Sequence, residues 1–159
     1  LPLGAFGKIT GPGYGAVAAF TVSGWFYDNL VLGAETGYYA FQGKDALDSE
    51  YKKTTTVYMV PMLLTAGYSF ELAGDFSVVP YISMGVVYFY ADYVSRDRVT
   101  FNDRNENISE AGPAAGAGIA GIYRLTHSIS ATARLSFGWF VGAESGLYGG
   151  LDVGCLYRL

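Results

Sequence analysis

Apolar and polar side chains alternate along the last third of the chain. From residue 129 to residue 141 every second position is apolar, and the positions between them as far as residue 138 hold Ser, Thr, Gly or Arg134. The alternation pauses at residues 144–146 and resumes from residue 147 to residue 159. A period of two is that of a β-strand with two unlike faces. Both segments are therefore predicted to be strands.

The rest of the chain divides in the same way, with less contrast. Short connections alternate with long ones, so consecutive strands are expected to form an antiparallel, up-and-down meander. The short connections are expected at residues 27–28, 71–75 and 125–127, and the long charged loops at 42–53 and 95–110. The eight predicted strands cover residues 1–9, 14–24, 29–41, 54–70, 76–93, 114–124, 129–141 and 147–159.

Two features fit this pattern less well. Pro61 and Pro80 fall inside predicted strands, where proline removes a ladder hydrogen bond, so a bulge or a local gap is expected at each. The first segment, residues 1–9, is short and weakly patterned. The sequence leaves open whether the first strand is complete.

The two faces of the strands decide which solvent the sheet meets. Hydrophobic residues make up 51% of the chain and charged residues 15%, where an ordinary soluble domain carries roughly 25% charge. The face opposite the apolar one carries Gly, Ser, Ala and Thr, not the Lys, Glu and Gln that would meet water. Its few charges can fill a narrow lumen but cannot solubilise a barrel from outside. They are Lys8, Glu35, Arg124, Arg134, Asp152 and Arg158.

This polarity predicts an all-β fold. It is a closed, eight-stranded, antiparallel, up-and-down transmembrane β-barrel, with residues 1–159 forming a single domain. Eleven residues at about 3.3 Å each, tilted by about 45°, rise about 26 Å, which matches the apolar band of about 25 Å in outer-membrane barrels. Closure is required because the backbone amides of an edge strand in lipid would have no water to bond, and a closed barrel pairs all of them.

Aromatic residues give an independent check on the two membrane surfaces. Amphipathic rings favour the headgroup level on each side of a bilayer. The alternative is that Tyr and Trp simply favour strands, but the middle positions are mostly Leu, Val, Ala, Ile and Met, which favours two belts. The belt near the long loops would contain Tyr14, Tyr38, Tyr58, Tyr88, Tyr90 and Trp139, and the belt near the short turns Trp25, Tyr68, Phe70, Tyr123 and Tyr157.

Three charged residues are expected to meet inside the barrel. Glu35, Arg134 and Asp152 all face inward at mid-height, and Arg134 and Asp152 lie on adjacent strands. A desolvated charge requires a partner, and one arginine can bind two carboxylates. We therefore predict a lumenal ion-pair cluster in which Arg134 bridges both acids. It could act as a closed plug or a switchable gate, or simply satisfy the charges of a packed interior.

The final strand carries the most specific motif. Asp152, Gly154, Tyr157 and Leu159 resemble the signal (polar, x, Gly, x, x, hydrophobic, x, hydrophobic) that bacterial barrel-assembly machinery reads, although such strands usually end on Phe. Over its whole length the chain resembles the small outer-membrane β-barrels of the OmpA, OmpX and OmpW kind. The resemblance implies an integral protein of the bacterial outer membrane, surrounded by outer-membrane lipid and inserted by that machinery.

Candidate chemistry is sparse. His127 is the only histidine and is expected in a short turn, so a Ser-His-acid triad is not predicted and the protein is not expected to be an enzyme. The lone Cys155 forms no intrachain disulfide. The loop carboxylates do not have the spacing of a calcium-binding EF-hand, and no metal or cofactor is predicted. A net charge of −4 argues against a nucleic-acid surface.

Architecture leaves several roles open. The first is a structural or surface-interaction role, in which a protein partner binds the loops at residues 42–53 and 95–110, or the barrel joins a larger outer-membrane assembly. The second is a narrow passage or binding pocket for small hydrophobic molecules, which the resemblance to OmpW allows. A lipid-modifying barrel enzyme is the third.

Overall fold

A computed structural model describes residues 2–3, 10–24, 27–43, 46–47, 51–97, 103–141 and 145–157. None of these residues forms a helix that could cross a membrane. The described residues form strands joined by turns and bends. The strands are β1 (Pro2–Leu3), β2 (Thr10–Ser23), β3 (Leu30–Gly43), β4 (Ala46–Leu47), β5 (Tyr51–Tyr68), β6 (Phe70–Ala73), β7 (Phe76–Asp97), β8 (Asp103–Arg124), β9 (Ile129–Phe140) and β10 (Gly146–Tyr157).

The strands form a single antiparallel sheet. Its eight-strand path runs β1-β10-β9-β8-β7-β5-β3-β2, with β4 paired to β5 and β6 paired to β7. From β2 to β10 each long strand pairs with the next long strand along the chain. The predicted up-and-down meander is therefore confirmed. We call the end with the connections after β3, β7 and β9 the loop end, and the opposite end the turn end.

The predicted closure is where the described structure differs. The sheet curls, but its path ends at β1 and β2, and no ladder among the described residues joins β2 to β10. In an antiparallel meander of seven long strands, the first and the last run in the same direction, so they cannot pair antiparallel with each other. Of the predicted first strand, the structure describes only Pro2–Leu3, which pairs with Tyr148 and Leu147. Among the described residues, the sheet is therefore open between β2 and β10 below Pro2–Leu3, and we call this interval the seam.

The long charged loops are shorter than predicted. β7 and β8 are each 22 residues long, and β5 is 18 residues long. Their ladders continue through the charged segments. The ladder between β5 and β7 reaches the pair Tyr51 and Asp97, and the ladder between β7 and β8 reaches the pair Arg96 and Asp103. Backbone pairing does not require apolar side chains, so the strands continue beyond the apolar region that the sequence reveals. The described residues of the expected loops at 42–53 and 95–110 therefore belong to strands.

Proline also behaves differently from the expectation. The ladders of Pro61 with Val87 and of Pro80 with Ile119 keep their register, so neither residue causes a bulge. Pro61 instead interrupts the ladder between β3 and β5, which resumes on the other side in the same register. A bulge does occur in β2, between Thr10 and Gly13.

The faces of the sheet have the reversed polarity that the sequence predicts. On the outer face of β10, Leu151 and Val153 are 74% and 81% exposed. The side chain of the residue between them, Asp152, is only 24% exposed, and that of Arg134 on β9 is 17% exposed. Large apolar side chains thus cover the outside, and charged ones lie within.

The loop-end half of the interior departs from the expected filling of small and ionic residues. Inward positions of β5 and β7 carry large apolar side chains, which pack against inward residues of β3, β8 and β9. We call this cluster the apolar plug. It consists of Phe41, Val57, Met59, Leu63, Val87, Ala91, Ala114 and Phe140, with Tyr39, Phe89 and Tyr148 packed against it.

Candidate functional site in the barrel interior

Arg134 joins opposite walls of the curled sheet. Its Nη1 donates a hydrogen bond to Glu35 Oε2 at 2.6 Å, although β3 and β9 are four strands apart in the sheet. Its Nη2 donates to Asp152 Oδ2 at 3.4 Å, on the neighbouring strand β10. The structure thus brings together the three residues that the sequence singled out. We call them the ionic cluster.

Because the side chains of the ionic cluster are largely buried, each charge depends on its partners for stabilisation. The side chain of Glu35 is 11% exposed, less than those of Arg134 and Asp152. Removing one partner of such a pair leaves an uncompensated charge in a poorly solvated place, which costs about 3–5 kcal/mol. One guanidinium faces two carboxylates, and the more distant one, Asp152, lies on the strand that borders the seam.

Polar and aromatic groups surround the ionic cluster. The Tyr81 ring centroid lies 6.0 Å from Arg134 Cζ, at the outer limit of a cation–π contact. Ser136 Oγ donates to the carbonyl oxygen of Gly150 at 3.5 Å. Within the described part of the chain, every buried side-chain nitrogen and oxygen has a hydrogen-bond partner. The cluster is therefore a satisfied polar layer across the interior.

The apolar plug seals the side of the cluster that faces the loop end. The rings of Phe89 and Phe140 lie 4.2 Å apart between centroids, and Tyr148 packs against Phe140 at 6.5 Å. A void of only about 20 Å³ lies between Glu35, Tyr148 and Asp152. A space of this size holds about one water molecule. Among the described residues, the large apolar side chains of the plug thus lie between the cluster and the loop end.

Glycines opposite the interior aromatic rings make this packing possible. Among the described residues, four inward rings lie against a glycine directly opposite on the neighbouring strand, and a Cβ at any of these glycines would overlap the ring. Sequence reasoning missed these pairs because the register between strands was unknown. They are Phe41 on Gly13, Tyr39 on Gly15, Tyr81 on Gly118 and Tyr148 on Gly138.

The turn-end half of the interior is open by comparison. A cavity of about 480 Å³ lies below the ionic cluster, and Arg134 and Asp152 form its upper border. Small residues on its walls, such as Gly67 and Ala120, leave this space unfilled. The cavity also reaches Val153 on the outer face of β10, so it opens into the seam.

The aromatic residues predicted as belts fall into two groups along the strands, although Tyr58, Tyr88 and Tyr90 lie near the middle of β5 and β7, because these strands are longer than predicted. In the group nearer the loop end, the outward rings of Tyr38 and Tyr58 stack at 5.7 Å, and those of Tyr58 and Tyr90 at 6.0 Å. At the turn end, Tyr68 and Phe70 lie 4.9 Å apart. Trp25 lies outside the described residues. The other predicted members, all exposed, are Tyr14, Tyr88, Trp139, Tyr123 and Tyr157.

The remaining predicted residues lie apart from the ionic cluster. Gly154 shares the inward face of Asp152, Tyr157 faces outward, and Leu159, like Lys8 and Arg158, lies outside the described residues. Cys155 is an exposed free thiol on β10. His127 is exposed in the connection after β8, at the turn end. The His, Cys, Asp and Glu residues in the described ranges form no group of three suited to a metal ion.

An antiparallel meander whose outer face is apolar and whose charges meet inside has the architecture of the small transmembrane β-barrels. Neisserial surface protein A (NspA) has a similar backbone path, with 13% identity, a TM-score of 0.48, and coverage of 92% of this chain and 95% of its own. Ail, the attachment invasion locus protein of Yersinia pestis, aligns with 15% identity, a TM-score of 0.44, and coverage of 92% of this chain and 94% of its own. No protein-family model and no curated protein sequence matches this chain.

Proposed function

We propose that this protein is an integral outer-membrane protein of a Gram-negative-type bacterium, with a structural or surface-interaction role. The observation that carries the proposal is its reversed polarity, with apolar side chains such as Leu151 and Phe137 exposed and the ionic cluster enclosed. In water, an apolar surface of this extent is an aggregation liability. In a bilayer, the same apolar surface contacts acyl chains, which solvate it.

The loop-end hairpins support the surface-interaction role. A strand of 22 residues at about 3.3 Å per residue and a tilt of about 45° rises about 51 Å, roughly twice the apolar band of a membrane barrel. The hairpin of β7 and β8 would therefore project well beyond the bilayer. Its sequence from residue 95 to residue 106 mixes both signs of charge with amides, a composition suited to contact with a protein partner in water.

Membrane insertion and orientation test the proposal together. The chain is expected to insert into vesicles and to migrate differently on gels when folded and when boiled. In intact cells, a protease added outside is expected to cut near residues 98–102, whereas a cleavage site engineered at residues 125–128 should stay protected. A chain that remains soluble without lipid, or that is cut only at residues 125–128, would contradict the proposal.

The surface-interaction role has its own test. Replacing residues 95–106 with a tight two-residue turn should preserve insertion, because the removed part lies beyond the apolar band. The same variant should lose contact with any protein that the cell-surface barrel binds, measured by cross-linking in intact cells. A matched control exchanges Ser128 for Ala at the opposite end of the barrel. Unchanged cross-linking in the shortened variant would contradict the surface-interaction role of this hairpin, and only the structural role would remain.

The turn-end cavity favours a second candidate function, a binding pocket for small hydrophobic molecules. Its volume of about 480 Å³ is within the range of small-ligand sites, and small apolar side chains such as Ala19 and Ala120 line it together with the charged Arg134 and Asp152. The apolar plug argues against a continuous passage. If the pocket is used, a hydrophobic fluorophore should bind the inserted protein, and the Ala120→Trp variant should bind it more weakly because the larger side chain fills the cavity. Planar-bilayer conductance should stay at baseline. Steady conductance would instead favour the passage.

We do not propose a lipid-modifying enzyme. His127 lies at the turn end of the sheet, whereas the ionic cluster lies deeper in the interior, on the strands rather than in a connection. The proposed orientation places this histidine on the periplasmic side. The mass of lipid A should therefore be unchanged when the protein is expressed, and a changed mass would support a lipid-modifying activity.

A further inference from the structure

Three tyrosine rings stack on the outer face of the sheet, near the level at which outward positions change from apolar to polar. Tyr58 of β5 stacks on Tyr38 of β3, with 5.7 Å between the ring centroids, and on Tyr90 of β7, with 6.0 Å. One step toward the loop end, the outward positions of β5 and β7 hold Thr56 and Asp92, which pair in register. The stack therefore borders the polar part of the outer surface, where reagents dissolved in water can reach it.

Tyr58 and Tyr90 are direct partners in the ladder between β5 and β7. Side chains that lie directly opposite on one face of an antiparallel pair have Cβ atoms about 4.5–5.5 Å apart. Tyr38 instead approaches Tyr58 from a diagonal position, because the residue of β3 that pairs with Tyr58 is Ala40. On the other side of Tyr90, the paired residue of β8 is Ser109, whose small side chain leaves the Tyr90 ring room to reorient. The pair of Tyr58 and Tyr90 therefore has the better geometry for a reaction between rings.

Within the described residues, Tyr90 also differs from the other two rings in having a carboxylate beside its hydroxyl group. This hydroxyl donates a hydrogen bond to the side chain of Asp92. Oxidation of a phenol to a neutral phenoxyl radical removes one electron and one proton, and a carboxylate held in place can accept that proton. Tyr90 is therefore the ring of the stack that should lose an electron most readily.

We propose that Tyr58 and Tyr90 form an oxidative modification site, at which a haem peroxidase that uses hydrogen peroxide joins the two rings by an intrachain dityrosine bond. Each ring loses one electron and its phenolic proton, and the two radicals couple through ring carbons next to the hydroxyl groups. The hydrogen on each coupled carbon then moves to the oxygen, which restores both phenols. In total, two hydrogen atoms leave the protein, and one hydrogen peroxide molecule becomes two water molecules.

The bond would tie two of the longest strands together on the outside of the sheet. Exposed side chains rotate within picoseconds to nanoseconds, so the reacting carbons can meet without a movement of the backbone. The new bond would close residues 58–90 into a loop, and a cross-link of this kind restricts the unfolded chain. The oxidised protein should therefore need stronger heating to unfold than the untreated protein.

Peptide mapping of the protein in lipid vesicles, treated with peroxidase and hydrogen peroxide, identifies the coupled rings. Trypsin cuts after lysine and arginine, so Tyr58 and Tyr90 lie on one peptide, residues 54–96, whereas Tyr38 lies on another, residues 9–44. The proposed bond lowers the mass of the first peptide by two hydrogen atoms and gives it dityrosine fluorescence. A bond between Tyr38 and Tyr58 would instead join the two peptides.

Phenylalanine variants keep each ring and remove only its hydroxyl group. Tyr58→Phe and Tyr90→Phe should each abolish the dityrosine fluorescence. Tyr38→Phe, on the other side of the stack, is the matched control and should leave it unchanged. Asp92→Asn should slow the coupling by about tenfold or more, because Tyr90 then lacks its proton acceptor.

Several results would overturn the proposal. They are a main product that joins residues 9–44 to residues 54–96, loss of fluorescence in Tyr38→Phe but not in Tyr90→Phe, coupling between two copies of the chain in place of the intrachain bond, and no dityrosine in the inserted protein. An unchanged rate in Asp92→Asn would overturn the role of the carboxylate. The proposed function would survive each of these results, because insertion is measured in the same vesicles before the peroxide is added.

Discussion

The two halves of the barrel interior are built on different principles. Toward the loop end, large apolar side chains fill the lumen, and Phe140 and Met59 are almost fully buried. Toward the turn end, small residues line a cavity of about 480 Å³ that opens into the seam. The ionic cluster lies between them. The comparison teaches that large side chains can fill one half of such an interior while small residues leave space in the other half, with a polar layer between the two.

The polar layer should be the most sensitive part of the molecule. Arg134→Ala leaves Glu35 and Asp152 without their shared partner, and we expect it to lower the free energy of unfolding by about 4 kcal/mol. Urea unfolding in detergent micelles measures this loss. Arg124→Ala, at an exposed site at the turn end, is the matched control and should change stability by less than about 0.5 kcal/mol.

The charge-removing variant completes that prediction. Adding Glu35→Gln and Asp152→Asn to Arg134→Ala should recover more than half of the lost stability, because no charge is then left unpaired. If the triple variant is as unstable as Arg134→Ala, packing and not charge pairing explains the role of Arg134.

The packed half should respond more strongly than the open half to loss of a side chain. Phe140→Ala leaves a cavity between Phe89 and Tyr148 and should cost about 3 kcal/mol. Val79→Ala removes a side chain that borders the turn-end cavity and should cost about 1 kcal/mol. A loss for Phe140→Ala that is no larger than the loss for Val79→Ala, measured by the same urea unfolding, would mean that the packed half is not the more sensitive one.

Added volume should separate the halves by a smaller amount. Gly138→Ala places a methyl group against the Tyr148 ring and should cost about 2 kcal/mol. Gly154→Ala meets only Thr132 Cγ2 at 3.7 Å, an ordinary contact, and should stay within about 0.5 kcal/mol of the parent chain. Thermal unfolding of both variants in the same detergent makes the comparison, and a tolerant Gly138 would show that Tyr148 is free to move.

Parity within single strands made much of the fold predictable. Alternation in β9 and β10 places Arg134 and Asp152 on the inward face without knowledge of the register, and adjacency in the meander places them side by side. Glu35 follows from the same count along β3. A desolvated arginine then has few available partners, which is why the ionic cluster could be predicted from the sequence.

The apolar plug was harder to predict for a related reason. In β5 both faces are apolar, as Met59 and Val60 or Met62 and Leu63 illustrate, so alternation does not show which row faces inward. The length of the hairpins was also missed, because charged side chains were interpreted as loops although the backbone ladder continues through them. The pairing of rings with glycines depends on register, which a single sequence does not contain.

The hydrogen bond between Glu35 and Arg134 joins residues 99 positions apart, whereas each hairpin closes locally. It can form only after β9 has reached the far side of the sheet. If the strands entered hydrocarbon one hairpin at a time, Glu35 would cross the apolar layer without Arg134, which belongs to the β9–β10 hairpin together with Asp152. Insertion is therefore expected to be easier if the sheet curls while its inner surface is still hydrated and then enters the bilayer as a nearly complete cylinder.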